Sequence, residues 1–154
     1  MATMGRVAQS VQRSRIGVNS SGEGVSIVTA LAQAFGRPFQ STKNVSKHLA
    51  ELEQLATSQR IPLNTRAAVS QVYRDRRTGE IGVDIMHPPT THGVLEEMQH
   101  LKNVLATRWP DTYEQILREE LRAKLAVYAH PDLNVIDRLI LRLQMRDIRA
   151  GRYY

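Results

Sequence analysis

Apolar residues recur at helical spacing in five stretches of the chain. In the first stretch they stand at i, i+3, i+4 and i+7, which predicts one face of an amphipathic helix. Gly36 can end that helix in the left-handed conformation, and Pro38 prevents its continuation. In the second stretch they predict a helix from about residues 42–44 to just before Pro62. The two stripes are Val28, Leu31, Ala32 and Phe35, then Val45, Leu49, Leu52 and Ala56.

The apolar period changes to two between residues 67 and 86. Apolar and other residues alternate from Ile81 to Met86, and residues 67–73 also suit a strand. Between them, Asp75 can accept hydrogen bonds from turn amides, and Gly79 tolerates the positive φ that completes such a turn. We therefore predict a β-hairpin over residues 67–86, ended by the prolines that follow.

Three further helices are predicted after the hairpin. Val94, Met98, Leu101 and Leu105 form the stripe of the first. Asp111 is the expected N-cap of the second, with Glu114 completing a capping box. The third runs from about residue 133 to 150 and stops at Gly151. The predicted fold is α+β and helix-dominated, with about five α-helices and one β-hairpin. An extended basic arm (1–24) precedes a single, mainly helical domain (25–154).

Composition narrows the class of protein. The 154 residues contain no cysteine, which excludes disulfides, thiolate catalysis and cysteine zinc sites. No apolar run is long enough to span a bilayer, and the N-terminus lacks the apolar core of a secretory signal. We therefore expect a soluble protein that is intracellular (cytoplasmic) or part of an assembled particle such as a virion. The net charge of +6 favours anionic partners.

Arginines cluster in three separate elements. On the last helix, four of them lie opposite the main apolar face formed by Leu133, Ile136, Ile140 and Leu143. Guanidinium groups bind phosphate or carboxylate in a forked geometry, so we predict contact with nucleic acid or an acidic partner. A merely solvated helix face is the alternative. The predicted binding residues are Arg138, Arg142, Arg146 and Arg149, Arg74, Arg76 and Arg77 at the hairpin tip, and Arg6, Arg13 and Arg15 in the arm.

The last helix also carries a second apolar flank. A helix that is apolar on two sides is more buried than a lone surface helix, which indicates a subunit interface or a deep position within the domain. We predict an oligomer interface, extended by two terminal tyrosines. Its residues are Leu141, Met145, Ile148, Tyr153 and Tyr154.

Histidines and acids in the 87–100 segment raise the question of a metal. His92, Glu96 and His100 share a helix face, with His87 nearby, but the pattern does not match the zinc-protease helix. Acidic residues are also favoured in a first helical turn. We therefore expect surface residues and predict no metal and no cofactor.

The sequence contains no recognisable catalytic motif. We expect a non-enzymatic structural or assembly protein of a multi-subunit particle, virion or nucleoprotein-like, whose partners are other protein subunits and either nucleic acid or acidic partner surfaces. The alternative is a DNA-binding regulator or packaging-recognition factor that uses residues 28–55 as a helix-turn-helix, with Lys43, Lys47 and His48 near the start of the second helix. The connection between those two helices is longer than the usual turn.

Overall fold

The computed structural model describes residues 13–16 and 26–151. Over these residues the chain has the predicted helix-dominated α+β fold, with five α-helices, one short 3-10 helix and four strands. The helices are α1 (Ile27–Gly36), α2 (Val45–Ser58), α3 (Thr91–Ala106), α4 (Tyr113–Tyr128) and α5 (Val135–Arg149), and the 3-10 helix is Arg37–Phe39. The strands are β1 (Arg13–Ile16), β2 (Leu63–Ala67), β3 (Gln71–Asp75) and β4 (Ile81–Met86).

The strands form one sheet in the order β1-β3-β4-β2. The hairpin of β3 and β4 is antiparallel, with Val72 opposite Val83, whereas β2 runs parallel to β4 on its other side. The predicted hairpin is therefore present, but its first strand begins at Gln71 rather than at residue 67. Residues 63–67 cannot continue into β3, because a parallel and an antiparallel neighbour of β4 need a chain reversal between them.

The hairpin turn has the predicted chemistry. Oδ1 of Asp75 accepts hydrogen bonds from the amides of Arg77, at 2.8 Å, and Thr78, at 3.1 Å. Gly79 has φ +75°, a conformation that costs glycine little. The side chain of Asp75 and the backbone freedom of Gly79 together set the position at which the strand reverses.

Four residues of the predicted arm belong to the sheet. Arg13–Ile16 pairs antiparallel with β3, and Ile16 is fully buried in the core. The strand therefore ties this part of the arm to the domain. The other arm residues, including Arg6, lie outside the described part of the chain.

Two helix ends differ from the predictions. Gly36 has φ −78°, so it does not end α1 in the left-handed conformation. A Cβ atom at Gly36 would lie 3.0 Å from Cγ2 of Ile136, so a larger residue there would require Ile136 to shift by a few tenths of an ångström. The N-cap of α4 is Thr112 rather than Asp111, and Gln115 completes the capping box.

Helix α3 is the centre of the packing. It contacts β3 and β4 on the sheet, α2 on one side and α4 on the other; α4 then packs on α5, and α5 on α1. The core includes Leu52, Val72, Val83, Ile85, Val94, Leu101, Trp109 and Leu141. Within the described residues, no helix combines the length and apolarity needed to cross a bilayer.

The second apolar flank of α5 faces the interior of this chain. Leu141 and Met145 join the main core, and Ile148 is also buried. These three side chains are therefore not open to another subunit, and the oligomer interface predicted on them is corrected to an intramolecular contact. The reason is that α4 packs against α5 on one side and α1 on the other. Tyr153 and Tyr154 lie outside the described residues.

Candidate functional sites

The four arginines of α5 do not act alike. Arg138 is half-buried and donates hydrogen bonds to the carbonyl of Tyr128, the last residue of α4, at 3.1 Å, and to that of His130, just beyond it, at 2.9 Å. Its guanidinium therefore caps a neighbouring helix. Arg142, Arg146 and Arg149 are exposed, so three of the four arginines remain candidates for binding an anionic partner.

The arginines near the hairpin also differ in their surroundings. Arg74 donates to Asp111 at 3.0 Å and lies over the ring of Trp109, so it ties β3 to the segment before α4. Arg76 and Arg77 are exposed at the turn. For Arg13 and Arg15 the structure describes only the backbone, as part of β1.

The 28–55 segment does not have the packing of a helix-turn-helix. In that motif the two helices pack together across a short turn. Here α1 packs mainly on α5 and α2 mainly on α3, with an eight-residue connection, 37–44, between them. Lys43 and Lys47 are exposed, but His48 is buried and cannot reach DNA.

The apolar stripe of α1 points outward. Ile27, Val28, Leu31 and Phe35, with Phe39 of the adjoining 3-10 helix, form what we call the α1 face. The exposed fractions are 79% for Ile27, 72% for Phe35 and 69% for Phe39. The sequence predicted the stripe as a helix face, but only the structure shows that residues 13–16 and 26–151 leave it uncovered. The opposite side of α1, with Thr29 and Gly36, packs on α5.

The α1 face is large for a monomer. An aromatic side chain has roughly 150–250 Å² of surface, so the exposed parts of Phe35 and Phe39 alone amount to about 280 Å². The three aliphatic residues add to this. Val135 and Leu139 of α5 are also exposed, and Asn134 donates a 2.8 Å hydrogen bond to the carbonyl of Phe39. Exposed apolar patches above a few hundred Å² usually mark interaction surfaces.

A second feature is a buried cluster of ionisable side chains between α3 and α4, here called the ionic cluster. The ammonium of Lys124 lies 3.1 Å from both carboxylate oxygens of Glu96 and 2.8 Å from Oε2 of Glu120. His100 lies 3.7 Å from Oε2 of Glu120. The cluster comprises His92, Glu96, Glu97, His100, Glu119, Glu120 and Lys124.

The prediction of surface positions for His92, Glu96 and His100 is wrong, because all three are buried. The α3 stripe of apolar residues meets the sheet, and the adjacent face, which carries these polar residues, meets α4. A signal was available in the sequence: Glu120 and Lys124 stand at helical spacing on the next helix. Nothing in the local pattern, however, showed that the two polar faces meet.

Burial and neighbouring charges shift the pKa values of the cluster in different directions. Burial opposes ionisation of Glu96, yet Lys124 and the two histidines keep the pKa of this carboxyl far below its ordinary value. Burial raises the pKa of Glu97 well above its ordinary value. For His100, burial opposes the charged form, but Glu120 and Glu119 raise the pKa to about 10.

The charges at the centre of the cluster offset one another. Lys124 and His100, whose pKa is raised to about 10, are the cations beside Glu96 and Glu120, whose carboxyl pKa values are lowered. Glu96, His100 and Glu120 stand close enough together to hold a metal ion, but Lys124 already occupies the space between the carboxylates. The arrangement is that of a buried ion network that holds α3 on α4.

A third feature joins α2 to the loop between α4 and α5. Nε2 of His48 lies 2.7 Å from Oδ2 of Asp132. Asn44 donates to the same oxygen at 3.1 Å. The hydrogen bonds from His48 and Asn44 hold the pKa of Asp132 below its ordinary value. Because a carboxylate can only accept, Nε2 of His48 is the donor in this contact.

His130 lies beside this pair, which we call the His48–Asp132 site. The two imidazole rings meet edge to face with centroids 5.2 Å apart. Nδ1 of His130 accepts a hydrogen bond from the backbone amide of Asp132 at 3.1 Å. Both histidines line a cavity of about 170 Å³, together with Glu51, Leu95, Met98, Gln99, Lys102, Ala126 and Val127.

Sequence reasoning missed the His48–Asp132 site. His48 is separated from Asp132 by 84 positions, and the sequence alone places it near the start of a helix that could contact DNA. The one local signal was the close spacing of His130 and Asp132 in a single loop.

Comparisons with protein-family models, with curated proteins and with solved structures find no match to this chain, so its function is argued from the described geometry alone.

Proposed function

We propose that this chain is a non-enzymatic assembly protein that associates with further copies of itself through the α1 face. The observation that carries the proposal is the uncovered apolar surface of α1, centred on Leu31 and Phe35. Burying a phenylalanine or leucine contributes roughly 1.5–3 kcal/mol, so covering this surface favours association. The proposal retains the assembly role expected from the sequence and moves its interface from α5 to α1.

The charge distribution favours a second copy as the partner. Helix α1 contains no charged residue between Ile27 and Gly36. Two molecules that each carry +6 can therefore pair on this face without bringing like charges into the centre of the contact. An acidic or basic partner would find no complementary charge on α1 itself, and the nearby Arg37 is engaged with the sulfur of Met86. A two-fold contact also presents the same residues from both copies, which suits a uniform apolar stripe.

The exposed arginines of α5 supply the anionic contact of the proposed assembly. Arg142, Arg146 and Arg149 are exposed on the helix that packs beside α1. Assembly would place two such rows in one particle, which increases the attraction for nucleic acid or an acidic protein surface. The alternative role, DNA binding through residues 28–55, has less support because His48 is engaged with Asp132.

Analytical ultracentrifugation across a wide concentration range tests the self-association. We expect the unmodified chain to associate, and Phe35→Glu to raise the dissociation constant roughly 100-fold or more, because each two-fold contact loses two buried rings. Leu31→Glu should act in the same direction. The matched control is Leu125→Glu on α4, since Leu125 is 51% exposed and Leu31 is 50% exposed.

Circular dichroism would verify that each variant remains folded. A chain that stays monomeric at every concentration contradicts the proposal. An equal loss of association with Leu125→Glu would also contradict it, because the effect would then come from added negative charge rather than from the α1 face.

A further inference from the structure

We propose that the His48–Asp132 site binds one Zn²⁺ ion, with His48, Asp132 and His130 as its protein ligands. One ligand atom from each residue lies within 4.8 Å of the others. Two imidazoles and one carboxylate form a ligand set that suits zinc. The proposal is independent of self-association, because the site lies between α2 and the α4–α5 loop and does not include the α1 face.

The ion would take the place of the hydrogen between His48 and Asp132. Nε2 of His48 and Oδ2 of Asp132 are now 2.7 Å apart across one hydrogen. Tetrahedral zinc with bonds of about 2.0–2.2 Å separates its ligand atoms by roughly 3.3–3.6 Å. The two groups therefore need to part by less than about 1 Å for the ion to replace the proton.

A second carboxylate stands where a zinc-bound histidine needs one. Nδ1 of His48 is buried and has no hydrogen-bond partner, and it lies 3.8 Å from Oε2 of Glu51. A histidine that binds metal through one nitrogen usually donates its other N–H to a carboxylate. When the ion replaces the proton on Nε2, the ring carries its proton on Nδ1 and donates it toward Glu51. Metal binding at Nε2 would thus give Nδ1 of His48 a hydrogen-bond partner.

The third ligand exchanges one hydrogen bond for a metal bond. Nδ1 of His130 now accepts from the amide of Asp132 at 3.1 Å, which shows that its lone pair points toward the loop that carries the second ligand. Binding through this ring releases a single neutral hydrogen bond, a small loss beside a zinc–nitrogen bond.

The remaining coordination position would be filled from the cavity. Both histidines line this space of about 170 Å³, which holds water molecules easily. Two cations oppose the ion: Nζ of Lys43 lies 3.8 Å from Oδ1 of Asp132, on a side chain that is 66% exposed, and Lys102 also lines the cavity. The ionic cluster differs in this respect, because its buried Lys124 fills the position that an ion would need.

The test is titration of the full chain, metal-free and without a polyhistidine tag, with ZnCl₂ in competition with a chromophoric chelator. We expect one ion per chain and, with Co²⁺, the visible absorption of a tetrahedral complex. Asp132→Asn should abolish this binding. Glu51→Gln should weaken it by about 10–100-fold, as expected for removal of a supporting carboxylate. The exposed His87, changed to Gln, is the matched control and should leave it unchanged.

Lys43→Met separates metal binding from a purely structural role of Asp132. Removing this cation should tighten Zn²⁺ binding several-fold, because it relieves repulsion of the ion. If Asp132 only braced the loop, the same change would have no effect on metal affinity. Failure to bind Zn²⁺ at one per chain, unchanged affinity in Lys43→Met and Glu51→Gln, or equal loss in His87→Gln would each overturn the proposal, even if Asp132→Asn failed to fold.

Discussion

At the scale of single residues, the largest energies belong to side chains whose charge is buried. Lys124 is fully buried, and its ammonium is neutralised by Glu96 and Glu120. A buried ion pair contributes little compared with an apolar pair of the same shape, but breaking one by removing a single partner is costly. The fold therefore depends on keeping Lys124 together with both carboxylates, although the intact network adds little to the net stability.

Replacement of Lys124 by methionine should lower the free energy of unfolding by about 3–5 kcal/mol, because two buried carboxylates lose their cation. Urea denaturation at pH 7 measures this loss. The double variant Glu120→Gln with Lys124→Met should recover part of it, since only one uncompensated carboxylate then remains beside the missing cation. A loss below about 1 kcal/mol in the single variant would show that water or rearrangement solvates the cluster.

At the scale of elements, α1 and α5 present surfaces of different chemistry. Helix α1 is uncharged and exposes its apolar stripe, whereas α5 buries its second apolar flank, half-buries part of the first and exposes three arginines. Gly36 allows the two helices to approach closely near Ile136. An apolar surface and a basic surface therefore lie on neighbouring helices.

The basic surface of α5 can be tested through the salt dependence of binding. Each phosphate contact contributes about 0.9 to the slope of log K against log salt for duplex DNA. The triple change of Arg142, Arg146 and Arg149 to glutamine should therefore reduce the slope by up to about 2.7, as measured by fluorescence anisotropy. The control is Arg118→Gln with Arg122→Gln, because both arginines are exposed on α4. An unchanged slope in the triple variant would show that the three arginines of α5 are only solvated and do not contact phosphates.

At the scale of the whole molecule, the ionic cluster links global stability to pH. The pKa of His100 is raised from 6.5 to about 10, so its charged form stabilises the fold fully below about pH 6.5. That contribution is lost as the pH rises through about 10. Glu97 acts in the same direction, because its raised pKa lets the folded chain keep a proton that the unfolded chain releases.

The free energy of unfolding should therefore fall as the pH rises from about 6.5 to 10. Each proton involved contributes a slope of at most about 1.4 kcal/mol per pH unit. Urea denaturation at a series of pH values measures the trend. His100→Gln removes the titrating group, so its profile should be flatter over the same range. Parallel profiles for the unmodified chain and for His100→Gln would mean that folding does not change the protonation of His100.

The apolar periodicity was sufficient to locate the helices and the hairpin. The stripe of α3 and the turn from Asp75 to Gly79 lie where predicted, because spacing and turn chemistry act over a few residues. The parallel pairing of β2 with β4 was not predictable in this way. It depends on which strand edge is free after the hairpin closes, and the sequence of β2 alone carries no information about that edge.

The amino-acid sequence by itself determined which residues share a face of each element, because helical and strand periods set the direction of every side chain. Only the tertiary structure decided what each face meets. The stripe of α1 faces outward, the second flank of α5 faces inward, and the polar face of α3 meets Lys124. The contact of His48 with Asp132 belongs to the same class, since residues so distant along the chain meet only through the packing of several helices.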